Sequence, residues 1–205
     1  MRPYIGSLLN AIKLWNGRFI ELKLGPFPRG DSLEMLRTLF DMSPLRVSDE
    51  VIEYIATTMG DHPYYIQLFG YHLVNEGKTD DKTIEKVRDE VLKSILPMFS
   101  NKYLRLSEKI ESLSQIFQKI VDVGDTSSFS DEELRRINDL EKMGIVYVKG
   151  TKIEFSDPLF KRYVIARISG RRESKILPKY TPEYIVAREL AYRERFKGVL
   201  ISYQS

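Results

Sequence analysis

Apolar residues recur every three or four positions through the first half of the chain, the spacing of one buried helix face. Residues 4–15 read as a short helix interrupted at Gly6 and ended near Asn16 and Gly17, and residues 19–24 alternate like a strand stopped at Gly25 and Pro26. Asp31 or Ser32 can cap a helix carrying Leu33, Leu36, Leu39 and Phe40. Ser48 caps the next, with Asp49 and Glu50 at the positive end of its dipole and Val51, Ile52, Ile55, Ala56 and Met59 on its apolar stripe. Gly60, Asp61 and His62 break the chain, and Pro63 fits the first position of a helix ending at Gly77. A fourth helix starts at Asp80 or Asp81, carries Ile84, Val87, Val91 and Ile95, and is expected to end before Pro97. Short connections between four such helices predict a small bundle.

The second half changes in kind. Residues 104–123 read as one long amphipathic helix, and residues 124–128 as a loop. Ser130 with Glu133 three positions on is a capping box for a helix through Leu134, Ile137 and Leu140. Two short alternating runs, residues 145–148 and 152–155, predict a hairpin turning at Lys149, Gly150 and Thr151. Ser156 or Asp157, followed by Pro158, opens a last core helix to Ile168. Helix, helix, two-stranded wing, helix is the order of a winged-helix domain. The predicted fold class is therefore mainly α, a helical bundle followed by a winged-helix domain with a small β-hairpin. Residues 170–179 read as a linker with few buried contacts. Residues 183–196 read as one more amphipathic helix, with Tyr184, Ile185, Leu190 and Phe196 expected to pack.

Composition narrows the function classes. The chain of 205 residues has no cysteine, which excludes disulfides, thiolate metal sites and thiol catalysis, and a cytoplasmic location is the simplest expectation. No run of apolar residues is long enough to span a membrane. His62 and His72 are the only histidines and have no matched acidic pair, so no metal site is expected. Acidic pairs such as Asp80 and Asp81 fall at helix starts, where the dipole accounts for them. The formal charge of +3 is unevenly placed: residues 1–169 hold 24 Lys and Arg against 25 Asp and Glu, residues 170–205 hold 8 against 4. The basic run includes Arg171, Arg172 and Lys175, either a solvated face or a surface for phosphates.

Several short motifs together resemble a known architecture. Gly6 and Ser7 before a helix, Gly17 and Arg18 before a strand, and the step Leu24, Gly25, Pro26, Phe27 look like the end of an archaeal P-loop ATPase core of the AAA+-related, STAND type. Residues 60–68, Gly-Asp-His-Pro-Tyr-Tyr-Ile-Gln-Leu, resemble the lid motif of that family, and residues 156–160, Ser-Asp-Pro-Leu-Phe, the start of the last helix of its winged-helix domain. The resemblance covers residues 4–168. It implies a core remnant at 1–27, a helical lid at 28–98, a winged-helix domain at 99–169, and a basic linker with a C-terminal helix at 170–205.

The phosphate-binding signature G-x-x-x-x-G-K-[ST] is absent from the sequence, as is an apolar run ending in paired acids. The resemblance therefore implies the C-terminal portion of an ATP-binding switch ATPase, a fragment or a truncated gene, without a complete active site. ATP and Mg belong to the intact family protein, and no cofactor is assigned to this chain alone. Arg18 matches the Gly-Arg pair whose arginine lies near the nucleotide phosphates, or is a surface arginine after a turn. Pro63 matches the lid proline that packs on adenine, or is a plain helix start. Asp61 stands where the family more often has a second glycine, and an acid there opposes phosphate. The implied partner is the rest of the ATPase core or another protein. The rival readings are a free-standing winged-helix DNA-binding protein and a protein-interaction module. DNA binding is expected to be weak and non-specific, since the helix at residues 131–143 carries five acids against three bases.

Overall fold

The stripe Leu33, Leu36, Leu39, Phe40 forms α1 (Arg29–Asp41), beginning a few residues ahead of the expected cap: Pro28 holds the N-cap position and Ser32 is buried inside the helix. In this computed structural model, which describes residues 26–170 and 176–180, the fold is mainly helical with one small hairpin. α2 (Asp49–Thr58) follows Ser48, which occupies the N-cap without a side-chain capping bond. α3 (Pro63–Glu76) places Pro63 in its first turn, where a missing N–H costs nothing, and stops at Gly77 with φ 67°. α1 packs on α2 and α3, and α3 on α4 (Asp81–Ser107).

α4 departs from the sequence expectation. It runs straight through Pro97. The proline is solvent-exposed, while Ile95, Phe99, Tyr103 and Leu106 keep the apolar stripe buried on both sides of it. Burial of those large side chains outweighs the local cost of an interior proline. The chain then turns through residues 108–112, with Ser112 at φ 55°, so the expected single helix over 104–123 is divided. A continuous helix from Asp81 to Asp122 would be about 60 Å long, too long for both ends to share one core.

Beyond the turn lie α5 (Leu113–Asp122), α6 (Asp131–Lys142), strands β1 (Val146–Lys149) and β2 (Lys152–Phe155), and α7 (Pro158–Ile168). The capping box forms as expected, with Glu133 N–H donating to Ser130 Oγ and Ser130 N–H to Glu133 Oε2. The hairpin is antiparallel, Val146 opposite Phe155 and Lys149 opposite Lys152. Residues 124–126 line the outer edge of β2, through Ile153 N–H to Gly124 O at 2.8 Å and Thr126 N–H to Thr151 O at 2.7 Å. Between that edge and α6 there is only a single 3-10 turn, Thr126–Ser128.

One hydrophobic core runs from Leu36 to Leu177. Phe99, just past the expected boundary at 98/99 and inside α4, contacts Tyr65 of α3 as well as Phe160 and Tyr163 of α7. Residues 176–178 correct the linker expectation. Ile176 and Leu177 are buried in the core, and the Tyr54 hydroxyl donates to Pro178 O at 2.8 Å. Tyr180 packs edge-on to Tyr54, and its N–H donates to Glu85 Oε1. The spacing Ile-Leu-Pro between charged residues gives no periodicity, so only tertiary contact reveals it as an anchor. Among the described residues no helix is long and apolar enough to cross a membrane. The expected elements at 4–15, 19–24 and 183–196 lie outside the described residues.

Candidate functional site

Two consecutive left-handed residues, Gly60 (φ 62°) and Asp61 (φ 56°), reverse the chain between α2 and α3. The turn is fixed by Phe27 N–H donating to Asp61 O at 2.8 Å and Asp61 N–H to Ala56 O at 3.0 Å. Asp61 is not left as a bare acid. Arg29, at the start of α1, pairs with its carboxylate at 3.1 Å and donates to Thr57 Oγ1 at 3.0 Å. The phosphate-opposing charge expected at this position is thereby balanced by a neighbouring guanidinium.

The same turn abuts the start of α7, ninety-odd residues away in sequence. A Cβ built on Gly60 would lie 2.9 Å from Pro158 Cβ and 3.1 Å from Leu159 Cδ1, so only glycine allows this approach. One helical turn later the Tyr65 hydroxyl donates to Asp157 Oδ2 at 2.7 Å. Asp157 Oδ1 accepts from Leu159 N–H at 2.9 Å and Phe160 N–H at 3.1 Å, which caps α7. Arg162, one turn along α7, donates to Thr58 O at 2.7 Å and Thr57 O at 3.2 Å, placing a cation at the negative end of α2. The segments 60–65 and 156–162 thus form a single polar seam within the apolar core.

The seam is electrostatically tense. The Tyr65 hydroxyl is pushed far above its ordinary pKa by burial and by the Asp157 carboxylate, so it stays a donor. Burial holds His62 below its usual value, and Lys102 adds to the effect while Asp157 opposes it. Burial likewise lowers Lys102, against the pull of Asp157. The Lys102 ammonium sits 4.5 Å from the Phe160 ring centroid, and the His62 ring 4.5 Å from that of Tyr65. With both Asp157 oxygens engaged as acceptors, the arrangement is built to hold two elements in register rather than to move a proton.

This geometry carries a pH dependence. The neutral form of His62 is favoured on folding, so the unfolded chain binds more protons below the ordinary value of 6.5. Stability is expected to fall as pH drops through that value and to level off below the depressed folded value. Thermal melts at pH about 7.5 and about 5.5 should show a lower Tm at the acid pH, with a smaller difference in His62→Gln. An unchanged difference in that variant would place the effect elsewhere.

The structure brings Asp61 and Pro63 together at the seam. Arg18, Arg171, Arg172 and Lys175 lie outside the described residues. Among the described residues no group of three or more His, Asp or Glu side chains is placed to hold a metal ion. The sequence offers Ser156 or Asp157 as a helix start and Tyr65 only as part of the motif at residues 60–68, and it gives no role to Arg29, Lys102 or Arg162. The one available signal was that both halves of the seam fall in short motifs already set apart by resemblance. No protein-family model and no curated protein sequence matches this chain.

Proposed function

We propose that this chain is the helical lid and winged-helix end of an archaeal-type STAND ATPase switch, with the seam as its coupling element. The observation that carries the reading is the meeting of residues 60–65 and 156–162, the two segments that resemble the family's lid motif and its last winged-helix start. A turn held against α7 by Gly60, Tyr65 and Arg162 cannot shift without moving α7. A nucleotide whose bound state biases the turn would therefore bias the winged helix too. Pro63 and the half-exposed ring of Tyr64 fit one wall of a nucleotide site. Phosphate and Mg binding calls for a loop and acids that the sequence does not carry, so no step of phosphoryl transfer is assigned to these residues.

The chain alone is expected to bind Mg·ATP only at millimolar concentrations and not to hydrolyse it. Calorimetric titration, with amide chemical shifts followed in parallel, provides the test. Shifts gathered at His62, Tyr64 and Tyr65 support the reading. Submicromolar binding, or shifts confined to the wing, would overturn it.

Features of α6 favour protein contacts over DNA reading. Arg136 is engaged by Glu132 at 2.7 Å, Glu111 Oε2 at 3.2 Å and Glu111 O at 3.1 Å. A helix-turn-helix reader also needs a supporting helix, where this chain has one 3-10 turn. Gel-shift titration is expected to show no sequence-selective complex. Any weak, salt-sensitive binding should survive Arg135→Glu and Arg136→Glu and diminish with Arg171→Glu and Arg172→Glu. Nanomolar selective binding abolished by the first pair would establish the DNA-binding alternative.

A further inference from the structure

On the face of the molecule next to the seam, a groove of about 300 Å³ runs between the C-terminal half of α4 and the end of α6. Its apolar surface comes from Met98, Leu106 and Met143, and its cations are Lys102, Arg105 and Lys109. Met98 and Met143 are 47% and 42% exposed, unusual for two thioethers so close together. Among the described residues, none of the three cations has a carboxylate within 4.0 Å, although Lys86, Arg88 and Arg136 elsewhere are each paired. The negative end of α4 accounts for a cation at Arg105, which lies in its last turn. It does not account for Lys102, one turn earlier, half-buried against Phe160 and disfavoured by its own desolvation.

We infer that this groove docks an acidic amphipathic helix of a partner protein, with apolar anchors on the methionines and carboxylates on Lys102, Arg105 and Lys109. The length fits: residues 98–109 span about 16 Å, three turns of a bound helix with anchors at i, i+4 and i+7. Methionine surfaces adapt to such anchors, being unbranched and polarisable. The cation row, with Asp157 acting on Lys102 from beyond ion-pair distance and no carboxylate within 4.0 Å of any of the three, sets the sign of the partner's charge. A nucleic acid fits less well. The groove lining contains no aromatic ring on which a base stacks. α6, which leads into Met143, also presents Asp131, Glu132 and Asp139 to solvent, and a long polyanion would meet them. The chain's own residues 170–205 are net basic and carry the wrong sign. Lys102 belongs to both groove and seam, so an occupant that pairs with it also acts on the His62 and Asp157 surroundings. The inference stands independently of the nucleotide reading.

The test is fluorescence anisotropy of the full chain with a labelled helical peptide of about 18 residues, Leu at i, i+4, i+7 and i+11 with Glu on the flanks. Saturable micromolar binding is expected, weakened about tenfold by either Arg105→Glu or Lys109→Glu and several-fold by Met98→Ser. Lys109 is exposed and lies beyond α4, so Lys109→Glu should keep the parent melting curve, and Arg105→Gln, which puts no acid at the negative end of α4, serves if the Arg105 reversal lowers it. Lys149→Glu, on the wing, should leave binding unchanged. No saturation at millimolar peptide, or equal affinity across the groove variants, would overturn the inference. So would equal binding of a Leu→Ser peptide. Displacement of the peptide by a single-stranded oligonucleotide at lower concentration would instead assign the groove to nucleic acid.

Discussion

Gly60→Ala should lower the stability of this chain by about 3 kcal/mol, while Gly77→Ala should cost only about 1 kcal/mol. Both glycines are left-handed, at φ 62° and 67°, so both pay the backbone strain of an L side chain. They differ in what the new methyl meets. At Gly77 nothing lies within 4 Å, whereas at Gly60 it would press on Pro158 Cβ at 2.9 Å and Leu159 Cδ1 at 3.1 Å. Proline cannot rotate away, and Leu159 is fully buried, so relief requires α7 to shift bodily. That shift stretches the Tyr65 to Asp157 and Arg162 to Thr58 bonds. Denaturant unfolding of the two variants gives the comparison directly. Equal losses at both glycines would mean that α7 does not depend on the turn.

Most of the helices were legible because each carries its own start and stop. Pro63 and Gly77 bracket α3, and Ser130 with Glu133 opens α6. The errors came where a local rule met a tertiary demand. Pro97 is a helix breaker by every local rule, yet Phe99, Tyr103 and Leu106 continue a stripe whose burial outweighs it. The break at 108–112 has no proline or glycine to announce it, only the requirement that the chain fold back on itself. Ile176 and Leu177 sit among basic residues in a segment with no period, and nothing local separates a linker from an anchor there.

The site was legible in pieces and not as a whole. Asp61 and Pro63 were found because their motif stands out, but the role of Asp61 depends on Arg29, thirty-two positions earlier, which no spacing connects to it. Locally, Asp157 reads as a helix start and Tyr65 as one residue of a short motif. A tyrosine on a buried face and an aspartate before a proline are ordinary features. Their 2.7 Å hydrogen bond is a long-range fact, and it alone turns two local features into a joint. The cations of the groove are similarly invisible, since Lys102 falls in an expected connection and Arg105 and Lys109 in the first turns of the expected helix at 104–123.

Asp157→Ala is expected to cost about 3 kcal/mol, because one substitution removes two distinct contributions. The first is the cap on α7: Leu159 and Phe160 lose the acceptor for their N–H groups, worth about 1 kcal/mol. The second is the charged acceptor for the Tyr65 hydroxyl, whose burial leaves it no ready access to water. A buried donor stripped of a charged partner costs about 2 kcal/mol. The two contributions separate by substitution. Asp157→Asn keeps an oxygen for the cap and removes the charge, so it should cost about half as much as the alanine. Tyr65→Phe removes the hydroxyl bond while leaving the cap in place, and should cost about 1 to 2 kcal/mol. Combined with Asp157→Ala, Tyr65→Phe should add almost nothing, since the bond it breaks is already gone. A double-mutant cycle from denaturant unfolding measures this coupling, expected at about 1 to 2 kcal/mol. Strict additivity of the two losses would show that the two ends of the seam fold independently, and the seam would then transmit nothing between the bundle and α7.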